Sequence, residues 1–219
     1  MDPNLRMSDL IDAIAALING HAKTSHAHLV GLSFDGHLAL RVAGRHPDRT
    51  RSVFASGVNR LAPRSAGPDW SMAFLPFLVW GTETFGRLIP SQIRNNAMSG
   101  RFCPVDGAVP PTLQQIRNLL AAISAEEPVP VLRTRVVLLA ATKTGRFLED
   151  AHSVQDAQAV FKEIQPVGSE GGRCVTHSGL THSWVKGHPK LLAETVAAVV
   201  KGSPIRENFS DISMDENGK

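Results

Sequence analysis

The stretch His28-Leu-Val-Gly-Leu-Ser-Phe-Asp-Gly-His-Leu-Ala-Leu-Arg-Val-Ala-Gly-Arg-His-Pro-Asp-Arg49 decides how the rest of the chain is read. His28 to Leu32 is a short apolar run that stops at a Gly/Ser turn. From His37 to Gly44 the pattern changes to helical spacing, and it closes before His46-Pro47, because the residue ahead of a proline is pushed out of the helical region. The order strand, sharp turn, helix puts Ser33, between Gly31 and Gly36, at the end of the strand and beside the start of the helix. A hydroxyl held there has the backbone N–H of Phe34 next to it, a donor suited to a developing oxyanion.

The flanking segments repeat the alternation. Upstream, Ser8 as N-cap, then Leu10, Ile11, Ile14, Leu17 and Ile18 at helical spacing, then Gly20 as a stop, describe one helix. Downstream, Ser52 to Ser56 reads as a second strand, and Asn59 to Asp69 is rich in Pro and Gly. Trp70 to Arg101 holds apolar helical pieces kept short by Pro76 and Pro90, and Thr112 to Ala125 is a cleaner helix with Leu113, Ile116, Leu119, Leu120 and Ile123 on one face. Arg135 to Ala141 (RVVLLAA) is continuous in apolar character, as a parallel strand buried on both faces should be. A helix from about Asp150 to Ile164, a strand over Gly171 to Val175 and a helix over Lys190 to Val200 follow, before Gly202-Ser203-Pro204. Strands alternating with helices predict an α/β fold: a parallel sheet with flanking helices, and a helical lid inserted at about residues 60–127. Residues 1–202 read as a single domain, and 203–219 as a polar tail without periodicity, expected to be disordered.

The chain of 219 residues suits one such domain, and 42% hydrophobic against 20% charged residues excludes disorder throughout. With 23 Lys+Arg against 20 Asp+Glu and no block of five like charges, no nucleic-acid partner is expected. Cys103 and Cys174 show neither CxxC nor CxxH spacing, which argues against a disulfide framework or a structural zinc and for a reducing, cytoplasmic setting. His26 and His28 alternate without a third ligand, so no metal site is expected. Asp9 and Asp12 interrupt the first apolar run, which therefore reads as a helix and not a signal peptide. The run Met72 to Trp80 is far shorter than the ~20 residues of a membrane span.

Gly31-Leu32-Ser33-Phe34 resembles the nucleophile elbow of the α/β-hydrolase superfamily, G-x-S-x-G, with Asp35 where a small residue is usual and Gly36 one position later. The resemblance implies Ser33 as nucleophile and the Phe34 N–H as oxyanion donor. A second match is His-Ser-Gly-Leu-Thr-His-Ser-Trp, residues 177–184, which sets His182 in the loop where these hydrolases carry their base, with His177 and His188 as competitors. The family's acid usually follows the strand corresponding to RVVLLAA, and Thr144 stands in that place. Glu149 and Asp150 are the candidates to replace it, although acidic residues that open a helix also serve as caps or dipole partners.

Only 32 residues precede Ser33, where the family places several strands and an oxyanion loop, so the chain, from about Asp9 to Val200, resembles an N-terminally shortened member with its upstream strands missing. That leaves the strand at His28 to Leu32 as an apolar edge and predicts self-association through it. The implied activity is hydrolysis of an ester, lactone or thioester of a small molecule by a Ser nucleophile and a His base, with no cofactor. Trp70, Phe74, Phe77, Trp80 and Phe85 of the lid either line the acyl pocket or form the lid's own core. Asp35, Thr144 and the absent oxyanion loop support a second reading, a catalytically impaired or non-catalytic binding protein of the same fold.

Overall fold

In a computed structural model of the protein, which describes residues 6–58, 129, 131–144, 152–164, 172–182, 184–206 and 208–213, Arg135–Ala141 is the middle strand of a five-stranded sheet. Apart from Arg6 and Met7, these residues belong to one unit, Ser8–Arg60 with Glu127–Lys219. The elements in chain order are α1 (Met7–His21), β1 (Ala27–Leu32), α2 (Phe34–Arg45), a 3-10 turn (Pro47–Arg49), β2 (Thr50–Ser56), β3 (Arg135–Ala141), α3 (Val154–Ile164), β4 (Arg173–His177), α4 (Trp184–Gly187), α5 (Pro189–Lys201) and β5 (Ser210–Asp211). The sheet order is β1-β2-β3-β4-β5, with β1 to β4 mutually parallel and β5 antiparallel to β4. The predicted α/β architecture, a mostly parallel sheet with flanking helices, is the one observed.

The apolar run of β3 is explained by helices on both sides of the sheet. Val136, Leu138 and Ala140 share one cluster with Ala39, Leu40 and Ala43 of α2 and with Ala157, Val160, Phe161 and Ile164 of α3. Val137, Leu139 and Ala141 share the other with Trp184 of α4, Val199 of α5 and Leu180. Alternation along a strand sends successive side chains to opposite faces, so a strand covered on both must be apolar throughout.

Element boundaries move where backbone groups find partners that periodicity does not reveal. Helix α2 starts at Phe34, ahead of the predicted His37, because the Ser33 carbonyl accepts from the N–H groups of Gly36 at 3.0 Å and His37 at 3.2 Å. Helix α3 starts at Val154 and not at Asp150, since the His152 N–H still donates to the Ala141 carbonyl at 2.9 Å; Ser153 then caps the helix, its Oγ accepting from the Asp156 N–H at 3.0 Å. Helix α5 ends at Gly202, whose φ of 72° lets its N–H turn back to the carbonyls of Ala198 and Val199.

Over residues 203–206 and 208–213 the segment expected as a disordered tail is tied to the fold. Ile205 and Phe209 are buried in the α4/α5 cluster, and Ser210–Asp211 pairs with β4, where Arg173 donates to both carboxylate oxygens of Asp211 at 2.9 and 2.8 Å. Two buried side chains in an irregular segment produce no period for sequence analysis to detect.

Two glycines set the junction of β1 and α2. A Cβ on Gly31 would lie 2.2 Å from the Asp35 carbonyl oxygen, and one on Gly36 would lie 2.8 Å from Val58 Cγ2 and 3.5 Å from Ala55 Cβ. Gly36 is therefore the small residue where α2 meets β2, which frees position 35 for an exposed aspartate. Gly31→Ala is expected to lower stability by about 1–3 kcal/mol through overpacking against backbone, read as a shift in the urea midpoint. Gly20→Ala, with nothing within 4 Å of the added carbon, is the control and is expected to stabilise slightly; equal midpoints for both variants would contradict the tight junction.

Candidate active site

Ser33 adopts φ 56° and ψ −119°, a backbone conformation that costs a non-glycine residue on the order of 1–3 kcal/mol and persists only where its surroundings over-determine it. Those surroundings are on both sides of the residue. The Ser33 N–H donates to the Ser56 carbonyl at 2.7 Å, continuing the register in which Leu32 pairs with Ser56, and the Ser33 carbonyl is held by the first turn of α2. Phe34 opens α2, so its N–H has no acceptor within the helix.

His182 lies in the turn between β4 and α4, and that turn is tied to the ends of three strands. Lys143 N–H donates to the Leu180 carbonyl at 2.9 Å, Thr142 N–H to the His177 carbonyl at 3.2 Å, and Trp184 N–H to the Thr181 carbonyl at 3.1 Å. The buried Trp184 indole N–H donates to Ser56 Oγ at 3.1 Å, and its ring meets Phe54 edge to face at 6.5 Å. Ser56 thus holds the serine turn by its carbonyl and the histidine turn by its hydroxyl. The next residue, Gly57, has φ 73°, and a Cβ on it would lie 2.9 Å from His152 Nε2 and 3.2 Å from His182 Cε1. Ser33, His152 and His182 are in this way gathered at the carboxyl ends of the parallel strands.

His152 has no counterpart in the sequence-based expectations. Its ring is buried, 5% exposed. The Ala141 N–H donates to its Nδ1 at 2.8 Å, while its Nε2 lies 2.7 Å from Nδ1 of His182 with the two rings perpendicular. Burial above all, and then neighbouring His182, lowers its pKa to about 4, so it is neutral at pH 7. The available signal was a histidine in the short segment between β3 and α3, where an acid is expected, read instead as the opening of a helix.

No protein-family model matches the chain. A curated AB hydrolase superfamily protein of Gibberella zeae is 29% identical over 206 residues, taking in 94% of this chain and 67% of its own length. Among solved structures, E-2-(acetamidomethylene)succinate hydrolase is similar over 90% of this chain and 74% of that one (TM-score 0.56, 20% identity). A marine microorganism esterase is similar over 91% and 78% (TM-score 0.62, 14% identity). The 2-hydroxy-6-oxo-6-phenylhexa-2,4-dienoate hydrolase of a Rhodococcus species is similar over 90% and 72% (TM-score 0.57, 15% identity).

The chain has the fold of the α/β hydrolases.

The other candidates among the described residues have surroundings of their own. His177 Nδ1 accepts the Gly179 N–H at 3.0 Å and its ring packs on Phe209, and His188 is an exposed residue ahead of α5. His37 is buried in α2, where desolvation first, then Arg41, lowers it to about 4. His28 Nδ1 meets Ser52 Oγ at 2.7 Å and His26 Nδ1 meets the Thr24 carbonyl at 2.5 Å; no group of three potential metal ligands occurs among the described residues. Cys174 is buried and its thiol is pushed up to about 12, chiefly by burial, which removes it as a nucleophile. Thr144 is exposed. Glu149, Asp150 and the lid at about 60–127 lie outside the described residues. No helix among the described residues is long and apolar enough to cross a membrane.

Two buried histidines give stability a pH dependence of known sign. His37 and His152 are lowered from 6.5 to about 4 on folding, so between those values the unfolded chain binds protons that the folded chain refuses. Their contribution is fully present above pH 6.5 and is lost as pH falls towards 4. The thermal midpoint is expected to decline across that window, and less steeply in a His37→Gln, His152→Gln double variant; parallel slopes for variant and parent would contradict the assignment.

Proposed function

We propose that this chain, with its α/β-hydrolase fold, cleaves an ester, lactone or thioester of a small molecule, with Ser33 as nucleophile and His182 as general base and then acid. The observation that carries this reading is the Ser33 backbone, a strained turn between β1 and α2 kept by bonds to Ser56, Gly36 and His37. Strain of this kind is costly in a residue with no chemical task. Ser33 Oγ bonds to the acyl carbon while its proton passes to His182, and the Phe34 N–H donates to the oxyanion. Collapse breaks the bond to the leaving group, which takes the proton from His182; water then releases the acid by the same steps in reverse order. The esterase and hydrolases to which the fold is similar support the reaction class, and the substrate's identity rests on none of them.

A second reading, a catalytically impaired member that binds its ligand without turnover, is favoured by the buried, neutral His152 that lies against Nδ1 of His182. Hydrolysis of a short p-nitrophenyl ester by the purified chain separates the two. Ser33→Ala is expected to abolish turnover, and His182→Ala to reduce it by roughly 10²–10⁴-fold, the usual worth of a positioned general base. A Ser33→Ala protein as fast as the parent overturns the hydrolytic reading, and a parent at the background rate selects the binding one.

A further inference from the structure

We infer that the cavity at the amino ends of β3 and β4 is a binding site for a small carboxylate with an apolar body, its head on Arg135 and its body on Val137, Val199 and Ile205. The cavity has a volume of about 280 Å³, and Arg173 stands with these four residues in its lining. It does not depend on the proposed serine chemistry. Ser33 and His182 are at the carboxyl ends of the strands, and the length of β3 puts about 20 Å between the two ends at ~3.3 Å per residue. The sheet register accounts for the lining. Residues 135 and 137 share a face by alternation along β3, and Arg173 of β4 is paired with Val137, which sets it on the same face. That face is the one covered by α5 and Ile205.

The two guanidinium groups differ in what they already hold. Arg173 donates to both carboxylate oxygens of Asp211, at 2.9 and 2.8 Å, so its charge is balanced. Arg135 makes no hydrogen bond or ion pair among the described residues. It is half-buried, and its guanidinium lies against the turn that closes α5: a Cβ on Gly202 would meet its Nη1 at 2.8 Å. The negative end of α5 is a weak competitor for it, because the carbonyls of Ala198 and Val199 already accept from the N–H groups of Ser203 and Gly202. The charge of Arg135 is felt along the row of paired residues His28, Ser52 and Arg135, where the His28 ring is lowered first by burial and then by Arg51 and Arg135. A guanidinium stays charged at any pH at which a protein folds, and its planar fork meets a carboxylate in two parallel hydrogen bonds. One uncommitted fork calls for one anionic head, and hydrocarbon walls call for an apolar body. At ~30 Å³ for each water-sized group, the cavity takes roughly nine non-hydrogen atoms, the size of a medium-chain carboxylate.

Titration of the full chain with octanoate, followed by calorimetry and by the ¹H–¹⁵N signal of Arg135 Nε, tests this. Octanoate is expected to bind with Kd on the order of 0.1–1 mM and to move the Arg135 signal as it does so. Arg135→Gln is expected to weaken binding roughly 10- to 100-fold, the worth of a hydrogen bond to a charged group. Arg133→Gln, which removes an exposed charge two residues away, is expected to leave it unchanged. Octanol, without the charge, and inorganic phosphate, without the apolar body, are each expected to bind about tenfold more weakly or worse. Octanol bound as tightly as octanoate overturns the role of Arg135, and phosphate bound as tightly overturns the apolar body; both comparisons are made on the parent and need no variant to fold. Octanoate held at the Ser33 turn instead would bind Arg135→Gln as well as the parent, which overturns the site, as does the absence of binding to folded parent. Ester turnover enters none of these readings, so a failure of the serine chemistry is seen separately.

Discussion

The Ser56 segment, where β2 ends, is the interaction on which the site depends. Its carbonyl takes the Ser33 N–H and its hydroxyl takes the Trp184 indole, so one residue fixes both the turn that presents the serine and the loop that presents His182. Ser33 sits in a strained conformation because three separate constraints leave no alternative: the β1–β2 register, the first turn of α2, and the absence of a Cβ on Gly31 where the Asp35 carbonyl passes. The family pattern asks for a small residue two places after the serine. This chain meets the same steric need one place later, with Gly36 against Val58 and Ala55, and the aspartate between them faces outward.

In the other half of the site a second histidine meets His182. A carboxylate beside the base does two things: it accepts Nδ1–H, which sets the tautomer, and it carries the charge that balances an imidazolium. Replacing the acid by an amide in serine proteases costs about 10⁴ in turnover while geometry is retained. His152, buried and neutral, takes the Ala141 N–H on Nδ1 and turns its Nε2 to Nδ1 of His182. The fold thus sets Ser33 in a strained turn and brings His152 against His182 at the same ends of the strands.

Much of this was legible in the sequence, for physical reasons that differ from residue to residue. RVVLLAA reads as a doubly covered strand because burial on both faces requires every side chain to be apolar. Ser33 is legible because glycines on either side of a polar residue, between a β run and a helical run, mark a turn that only a few backbones satisfy. His182 is legible through its place between β4 and α4. His152 is not, since its contact with His182 spans 30 residues and is made by two strand-end loops whose proximity only the sheet order creates. Ile205 and Phe209 were hidden for a similar reason, being single anchors in an irregular chain.

The most direct test of the central claim, that the Ser56-anchored turn presents an activated Ser33, is intact-mass analysis of the folded protein after exposure to a fluorophosphonate, beside Ser33→Ala. A single adduct on the parent, formed slowly and absent from the variant, is the expected result. An adduct of equal yield on Ser33→Ala, or none on soluble folded parent after prolonged exposure, would contradict it.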